Sequence, residues 1–550
     1  MKIERIENHI IRYACLFAGL LLIYGGLDGD CWFLLNHGRY AVEHGIPHIE
    51  PFTIHENFAF VMQQWLTSAI FWEIYKYFSA EGLVGFLHPI GALTIYAFYR
   101  LSLIVSKENR DTALVLSSLV GIVICFLFIR TRPQIFSTLI FILEIISLEL
   151  LRQKNDRKYI FIFPLLSLAL VNLHAAMWPM LLIFLLPFLF DHLARYDKKG
   201  YFFHDERIDI YTLGTIAGLI VLAGFINPYG WEAMTYVFRS YGYDMISNFV
   251  GEMKPITVRW WIGKISVLLF LFVIAVYARH KIAIRHLLIT LGTMWMALSS
   301  FRSLYLFLAV GLYPLAFVYR DWQGLTKPNA STDNLRLRKI LIVLIDCIFV
   351  WMIVNQHDSI SDVLGYKRLA LLLAAMLPVI ILCLLEWRYG SLQHVKDKFL
   401  RCGYVSVIFI VSFMLLLTVE YKLVNSEKLP DSALAVDYLL EHEQADNVRL
   451  WTSYNEGGYP EFRGLRCFID TRAEVFLISN NKQRDVFYEF ISLTAGKTDY
   501  RTFLSWYDFN YILVSENDIM YTYLPNDDDY ELVFSYKTNE NKEYRLYHSK

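Results

Sequence analysis

The sequence predicts a mainly α-helical, polytopic membrane protein with about 13 transmembrane helices and a small C-terminal α/β domain outside the membrane. Apolar residues make up 56% of the 550 positions and charged residues only 19%, whereas roughly one quarter is charged in soluble proteins. The mean hydropathy is +0.38. Because 51 Lys and Arg balance 52 Asp and Glu, the composition excludes a nucleic-acid binder that depends on bulk positive charge.

Thirteen apolar runs approach the length of a membrane span. A helix needs roughly 20 apolar residues to cross a hydrocarbon core about 30 Å thick. Runs near that length lie at 11–27, 83–104, 112–129, 134–151, 159–172, 175–191, 211–226, 264–278, 286–300, 303–319, 339–355, 369–386 and 404–420. The first run follows basic residues and lacks a small-residue cleavage site, so we expect a retained helix rather than a signal peptide.

The distribution of charge predicts the orientation and the domain boundary. If the N-terminus is cytoplasmic, Lys and Arg concentrate in the loops on that side, whereas the opposite loops are poor in them; Arg39 stands alone in 28–63. Residues 421–550 carry 14 basic and 22 acidic side chains, against 37 and 30 in residues 1–420. We therefore expect a multi-pass inner or plasma membrane protein, with a membrane domain at 1–420 and a soluble extracytoplasmic domain at 421–550.

Two segments outside the apolar runs have a predictable secondary structure. In the outer loop 28–82, apolar residues at helical spacing predict an amphipathic helix over 65–78 that lies in the membrane interface. The C-terminal segment shows alternating and helical patterns that predict an α/β fold. Its helices are expected at 431–442 and 482–506, and its strands near 448–453, 466–470, 511–515, 530–537 and 543–549.

An acidic pair stands at the outer end of the first apolar run, in Gly26-Leu27-Asp28-Gly29-Asp30. Two carboxylates beside a lipid boundary are costly to bury unless they are used or well solvated. Such acids suit a general base toward a sugar hydroxyl, or an oxygen ligand of a divalent ion. The alternative is a solvated loop start with flexible glycines.

The motifs that follow this pair give the sequence a family resemblance. They are Asn36-His37-Gly38-Arg39, His48-Ile49-Glu50-Pro51-Phe52, Gln63-Gln64-Trp65, Arg130-Thr131-Arg132-Pro133-Gln134, Asn172-Leu173-His174, Asn227-Pro228-Tyr229-Gly230-Trp231, Gly457-Gly458-Tyr459 and Phe468-Ile469-Asp470-Thr471-Arg472. An acidic pair closing the first span, followed by such an outer loop, resembles the GT-C class of membrane glycosyltransferases. The resemblance consists of short, scattered motifs that follow one another in the expected order over almost the whole chain.

This resemblance implies an enzyme that uses a polyprenyl-phosphate-linked sugar, with inversion at the anomeric carbon. Asp30 or Asp28 would be the catalytic acid of the first outer loop, and the acceptor would be an envelope glycan, a lipid or a protein. One departure concerns Gln64, which stands where an acidic residue is expected before the Trp. No metal ligand is therefore assigned, and a Mg²⁺ or Mn²⁺ cofactor is only one possibility.

The remaining candidates are basic or polar residues on the predicted outer side. Arginine at membrane depth pairs with anions, and its planar group matches phosphate; the alternative is that the arginines snorkel to the interface. His174 suits either a substrate contact or a structural hydrogen bond, and Glu252 is either a second acid of the cleft or a solvated loop acid. Asp470 and Arg472 are expected to pair with each other or to cap a strand end, and neither is assigned a catalytic role. The candidate substrate-binding residues are Arg39, His48, Gln64, Arg130, Arg132, His174, Glu252 and Arg302.

Absent motifs and scarce intramembrane charge narrow the class of protein. The sequence contains no Walker-type phosphate loop, no dinucleotide-binding glycine motif, no H-E-x-x-H and no G-x-S-x-G. Few acids lie within the apolar runs, which disfavours an ion-coupled carrier. Two alternatives to a glycosyltransferase stay open, namely a transporter or flippase of a lipid-linked glycan and a non-catalytic scaffold of an envelope-assembly complex.

Overall fold

The computed structural model describes residues 16–193, 202–320 except 204, 206 and 241–243, and 429–538 and 541–550. The helices of eight or more residues before residue 320 are α1 Cys31–His44, α2 Trp65–Val105, α3 Arg110–Leu127, α4 Gln134–Lys154, α5 Ile162–Leu173, α6 Leu186–Leu193, α7 Ile210–Gly224, α8 Trp261–Arg279 and α9 Ile284–Ser299. Shorter helical turns lie at Ala18–Leu22, Arg157–Phe161, Ala175–Met177, Met180–Ile183, Trp231–Met234, Val237–Ser240, Asp244–Phe249, Gly251–Met253, Phe301–Ser303, Leu304–Leu306, Phe307–Gly311 and Pro314–Val318.

The described residues form a mainly helical body with six stretches that are long and apolar enough to cross a membrane. These stretches are Trp65–Val105, Arg110–Leu127, Gln134–Lys154, Ala175–His192, Trp261–Ala278 and Phe301–Val318. The runs at 339–355, 369–386 and 404–420, and residues 11–15 of the first run, lie outside the described residues. The count of about 13 spans therefore stays a prediction.

The first outer loop contains a helix that the sequence analysis did not predict. Helix α1 occupies residues for which no secondary structure was predicted, and its first eight residues, Cys31 to Gly38, are buried. A Cβ atom at Gly38 would lie 2.0 Å from the carbonyl oxygen of Ser68 on α2. This glycine therefore allows α1 and α2 to pack closely, which gives the Gly-Arg motif a structural reason.

Helix α2 is broken at Ser79, whose φ of 56° and ψ of −158° are not helical. The segment before the break coincides with the amphipathic helix predicted at 65–78. The segment after it continues into the apolar run expected at 83–104. The position of the 65–78 segment in the membrane interface stays a prediction.

The C-terminal part of the chain, residues 429–550, is called the tail below. Its strands are β1 Arg449–Trp451, β2 Arg466–Cys467, β3 Tyr511–Ser515, β4 Tyr530–Lys537 and β5 Glu543–Ser549. They form one sheet in the order β2-β1-β3-β5-β4, in which β1 pairs parallel with β2 and β3, and β5 pairs antiparallel with β3 and β4. Its helices are Ala433–His442, Gly458–Phe462, Ile478–Asn481, Val486–Thr494, Tyr500–Leu504 and Ile519–Tyr523.

The tail packs directly on the first outer loop. Thr53 forms a parallel bridge with Cys467 of β2, and Arg39 donates a hydrogen bond of 2.8 Å to the carbonyl oxygen of Phe462. Within the tail, a Cβ atom at Gly457 would lie 2.0 Å from the carbonyl oxygen of Ile469, so this close backbone contact requires glycine. Buried apolar residues of the helices and the tail form one continuous core, so the outer loop lies between the helical body and the sheet.

Candidate active site

Arg132 lies at the centre of a cluster of acidic side chains. Its guanidinium group lies 2.8 Å from Asp28 Oδ1, 3.1 Å from Asp30 Oδ2 and 2.5 Å from Glu252 Oε2. The acidic pair directly precedes α1, whereas Glu252 lies in the turn Gly251–Met253, far later in the chain. The structure thus brings together the acidic pair and the arginine motif that the sequence analysis selected separately.

The local backbone fixes the acidic pair beside this arginine. The amide of Asp28 donates a hydrogen bond of 3.0 Å to Thr131 Oγ1, in the segment between α3 and α4. The amide of Cys31 donates to the carbonyl oxygen of Asp28 at 2.8 Å. Helix α1 therefore begins directly after the pair, and the glycine-rich segment before it leaves the chain free to turn.

Two further arginines flank the cluster. Arg302 Nη1 lies 3.4 Å from Glu252 Oε1, and Arg130 Nη1 lies 3.9 Å from Asp28 Oδ2. The Arg130 guanidinium also stacks over the ring of Tyr24, at 4.9 Å from the ring centre. Three carboxylates thus face three guanidinium groups.

A cavity of about 370 Å³ opens beside the cluster. This volume falls within the range of small-molecule sites, roughly 300–1,000 Å³. Six of the candidate site residues contribute to its lining, and they are Asp30, Gln64, Arg132, His174, Glu252 and Arg302. The residues selected from sequence therefore meet at a concave site rather than in bulk solvent.

The surroundings shift the protonation of the acids in opposite directions. Burial raises the pKa of Asp30, and the charges of Asp28 and Glu252 raise it further, against the opposing effect of Arg132. Burial opposes the ionisation of Glu252 as well, but Arg302 and Arg132 together hold its pKa below the ordinary value. Asp30 is therefore the more basic of these two carboxylates, which suits the residue that accepts a proton.

His174 is a neutral side chain in this cavity. Burial, together with the nearby charge of Arg302, lowers the pKa of His174 to about 3. Its Nδ1 atom lies 3.2 Å from Ser137 Oγ on α4. It is therefore uncharged at neutral pH, and it does not supply the positive charge that a phosphate requires.

The structure does not bring every candidate to the cavity. Arg39 bridges Asn36 and the tail, with its guanidinium 5.7 Å from the ring centre of Trp72. His48 is exposed and meets Tyr229 edge to face at 5.0 Å. Neither Arg39 nor His48 lines the cavity. Asp28 and Arg130 do not line it either, although both belong to the charge cluster beside it.

Several residues that line the cavity were not predicted from the sequence, above all Arg472 of the tail. Arg472 is buried and pairs with Asp470 as expected, Nε to Oδ2 at 2.7 Å. It also lies 3.0 Å from Glu50 Oε1 and donates to His37 Nε2 at 3.0 Å. The sequence motif Phe468 to Arg472 was selected. Its role in joining the tail to the outer loop could not be predicted, because the contacting residues lie more than 400 positions apart in the chain.

The acids as arranged do not fit a divalent cation. The carboxylates of Asp28, Asp30 and Glu252 all turn toward Arg132, whose guanidinium occupies the position that a shared ion would need. In the part of the chain that the structure describes, no group of three or more His, Cys, Asp or Glu is arranged to hold a metal. Gln64 also offers an amide where an acid was expected.

Comparison with known proteins gives matches among solved structures. No protein-family model and no curated protein matches the chain. The oligosaccharyltransferase of Archaeoglobus fulgidus in its apo form is 11% identical, over 92% of this chain and 69% of that chain, with a TM-score of 0.46. A second structure of this enzyme is tethered through a disulfide bond to an acceptor peptide with an NVT sequon. It is 11% identical over 98% of this chain and 74% of that chain, with a TM-score of 0.47.

ArnT from Cupriavidus metallidurans, bound to undecaprenyl phosphate, is 10% identical over 98% of this chain and 96% of that chain, with a TM-score of 0.45. These structural neighbours are GT-C glycosyltransferases. The resemblance inferred from the sequence motifs is to that same class. Similarity at this level assigns no donor, acceptor or residue role to the present chain.

Proposed function

We propose that this protein is an integral-membrane glycosyltransferase that transfers a sugar from a polyprenyl-phosphate carrier to an acceptor hydroxyl. The observation that carries the proposal is the position of Asp30. Its side chain is 22% exposed, lines a cavity, and stands next to a balanced set of acids and arginines. A carboxylate with a raised pKa in such a cavity is suited to general-base catalysis.

In the proposed reaction, the acceptor oxygen attacks the anomeric carbon of the donor and the bond from that carbon to the phosphate oxygen breaks. The hydroxyl proton passes to Asp30, and the bonding electrons leave with polyprenyl phosphate. Attack opposite to the leaving group inverts the anomeric configuration. The negative charge lost at Asp30 equals the charge gained by the phosphate, so the total charge in the cavity does not change.

We assign different roles to the arginines. Arg132 already contacts three carboxylates, so its role is to position Asp30. Arg302 lines the cavity with 37% of its side chain exposed, and its contact with Glu252 is longer, at 3.4 Å. It is therefore the better candidate to bind the donor phosphate and to stabilise the charge that develops on it.

We further propose that the polyprenyl chain lies in an apolar groove beside the cavity. This open groove, about 650 Å³, is lined by Trp65, Leu165, Ala169, Asn172 and Phe225 among others. Gln64 and His174 line the cavity, while Trp65 and Asn172, one and two residues away in the chain, line the groove. The cavity and the groove are thus lined by neighbouring residues of the same two segments, and a hydrogen bond of 2.8 Å from Trp65 Nε1 to Asn172 Oδ1 joins those segments.

The acceptor would enter from the side of the tail. Tyr454, Asn455 and Thr471 of the tail line the cavity, and the predicted topology puts the tail on the extracytoplasmic face of the cell membrane. An envelope glycan, a lipid and a protein can each offer a suitable hydroxyl group. We therefore propose that the tail selects the acceptor.

The proposal is tested with purified protein in detergent and synthetic short-chain polyprenyl-phosphate sugars. We expect lipid phosphate to be released, and an added envelope extract to accelerate that release. A transporter would instead move a fluorescent lipid-linked glycan across liposomes without releasing phosphate. A scaffold would do neither, and absence of release with every donor would reject the proposal.

A further inference from the structure

We infer that the Arg132 guanidinium occupies the place of a divalent cation in this site, so that the transfer needs no metal ion. The inference rests on the proposed function and adds to it the way in which the acids are held. It concerns the three carboxylates of Asp28, Asp30 and Glu252. Carboxylate oxygens are the ligands that Mg²⁺ and Mn²⁺ prefer, but here a side chain of the protein itself lies between them.

Every nitrogen of the Arg132 guanidinium contacts one of the three carboxylates. Nε donates to Asp28 Oδ1 at 2.9 Å, and Nη2 lies 2.8 Å from the same oxygen. Nη2 also lies 3.1 Å from Asp30 Oδ2, and Nη1 donates to Glu252 Oε2 at 2.5 Å. A divalent ion shared by these oxygens would lie roughly 2.0–2.6 Å from each of them. The guanidinium nitrogens fill that space, so the ion and the side chain exclude each other.

The charges of the cluster balance without an ion. The three carboxylates carry three negative charges, and three guanidinium groups, those of Arg130, Arg132 and Arg302, carry three positive charges. A divalent ion would leave an excess of two positive charges around the side chain of Arg132, which is only 19% exposed. Because unpaired charge away from water is costly, the complete set of arginines disfavours the ion.

The backbone fixes Arg132 in this position. Its amide donates a hydrogen bond of 2.7 Å to the carbonyl oxygen of Arg130, and its carbonyl oxygen accepts one of 3.3 Å from the amide of Ile135. Pro133 follows directly as the N-cap of α4, and the proline ring restricts the backbone there. The guanidinium therefore reaches the acids from a rigid helix start.

The position where the sequence analysis expected an acid does not supply a ligand. Gln64 is a neutral amide, and its Oε1 atom is buried with almost no accessible surface. This side chain adds neither a charge nor an available oxygen to the three carboxylates. The amide at Gln64 and the cation at Arg132 thus both indicate a site that works without a metal.

A guanidinium in this place preserves Asp30 as a base. Only Oδ2 of Asp30 contacts Arg132, and among the described residues Oδ1 accepts no hydrogen bond, not even from the first turn of α1. An ion bound directly to the carboxylate would oppose proton uptake with two charges, whereas Arg132 shares one charge among three carboxylates. Oδ1 therefore stays available for the proton of the acceptor hydroxyl.

The test measures Mn²⁺ binding to purified, metal-stripped protein in detergent, by the loss of the free-ion signal in electron paramagnetic resonance. We expect Arg132→Ala to free the three carboxylates and to bind one Mn²⁺ per chain at least about tenfold more tightly than the wild type. A second change, Asp30→Asn, should abolish this gain. Arg132→Lys keeps the positive charge and should bind Mn²⁺ no better than the wild type.

Arg157→Ala, at an exposed residue just after α4, is the matched control and should behave as the wild type does. A folded Arg132→Ala protein that binds no Mn²⁺ would overturn the inference. If that variant does not fold, the wild-type measurement decides. One Mn²⁺ per wild-type chain that Asp30→Asn removes would overturn the inference, and no such ion would support it.

The inference and the proposed function fail in different ways. We expect EDTA to leave the rate of polyprenyl-phosphate release by the wild type unchanged. If release requires added Mg²⁺ or Mn²⁺, the glycosyltransferase assignment stands and the metal-free site is wrong. If the Mn²⁺ measurements agree with the inference but no donor is cleaved with or without metal, the site stands and the proposed reaction is wrong.

Discussion

The Nη1 atom of Arg132 lies 2.5 Å from the Oε2 atom of Glu252, although the two residues are 120 positions apart in the chain. This contact joins the segment before α4 to the turn Gly251–Met253. Because Arg132 also contacts Asp30, a change at Glu252 is transmitted to the candidate catalytic carboxylate.

Removal of the charge at Glu252 should shift the pH dependence of activity. Its negative charge contributes to the raised pKa of Asp30, so Asp30 should ionise at lower pH in Glu252→Gln. We expect the acidic limb of kcat/KM to move to lower pH, as measured in a pH-rate profile. His174, with a pKa of about 3, should add no limb near neutrality, and an acidic limb that does not move would contradict the coupling.

Loss of the cavity arginine should impair use of the donor phosphate. We expect Arg302→Gln to lower kcat/KM by roughly 10²-fold, because a positive group that meets the developing phosphate charge is removed. Arg259→Gln, at an exposed residue that follows Glu252 closely in the chain, is the matched control. If both variants keep wild-type kinetics with lipid-linked donors, Arg302 does not bind the phosphate.

The buried arginine of the tail should be important for stability. Arg472→Met leaves Glu50 and Asp470 buried without their cation, and breaking a buried pair in this way costs about 3–5 kcal/mol. We expect a large drop in the melting temperature in detergent. Arg466→Gln, exposed in β2, should change it little, and equal melting of the two variants would show that the cluster does not stabilise the tail.

Filling the apolar groove should affect long-chain donors only. Ala169 lines the groove but not the cavity, so Ala169→Trp should raise KM several-fold for an undecaprenyl donor. The KM for a citronellyl donor should stay unchanged, because its chain is too short to fill the groove. Parallel kinetics with the two donors provide the measurement, and an equal effect on both would place the lipid elsewhere.

The sequence allowed the charge cluster around Arg132 to be predicted better than the rest of the cavity lining. Asp30, Arg132 and Glu252 stand out because charges at a membrane boundary need partners, and the predicted topology puts all three on one face. Helix α1 was missed because its apolar run is too short for a span. Gln134 was not selected, since an unpaired amide becomes visible only when its neighbours in space are known.

The most direct test of the central claim is the rate of polyprenyl-phosphate release by Asp30→Asn. We expect a loss of roughly 10²–10⁴-fold relative to wild type, with an unchanged melting temperature. Asp508→Asn, an exposed change of the same charge in the tail, should keep wild-type activity. Full activity in Asp30→Asn, and likewise in Asp28→Asn, would contradict the account.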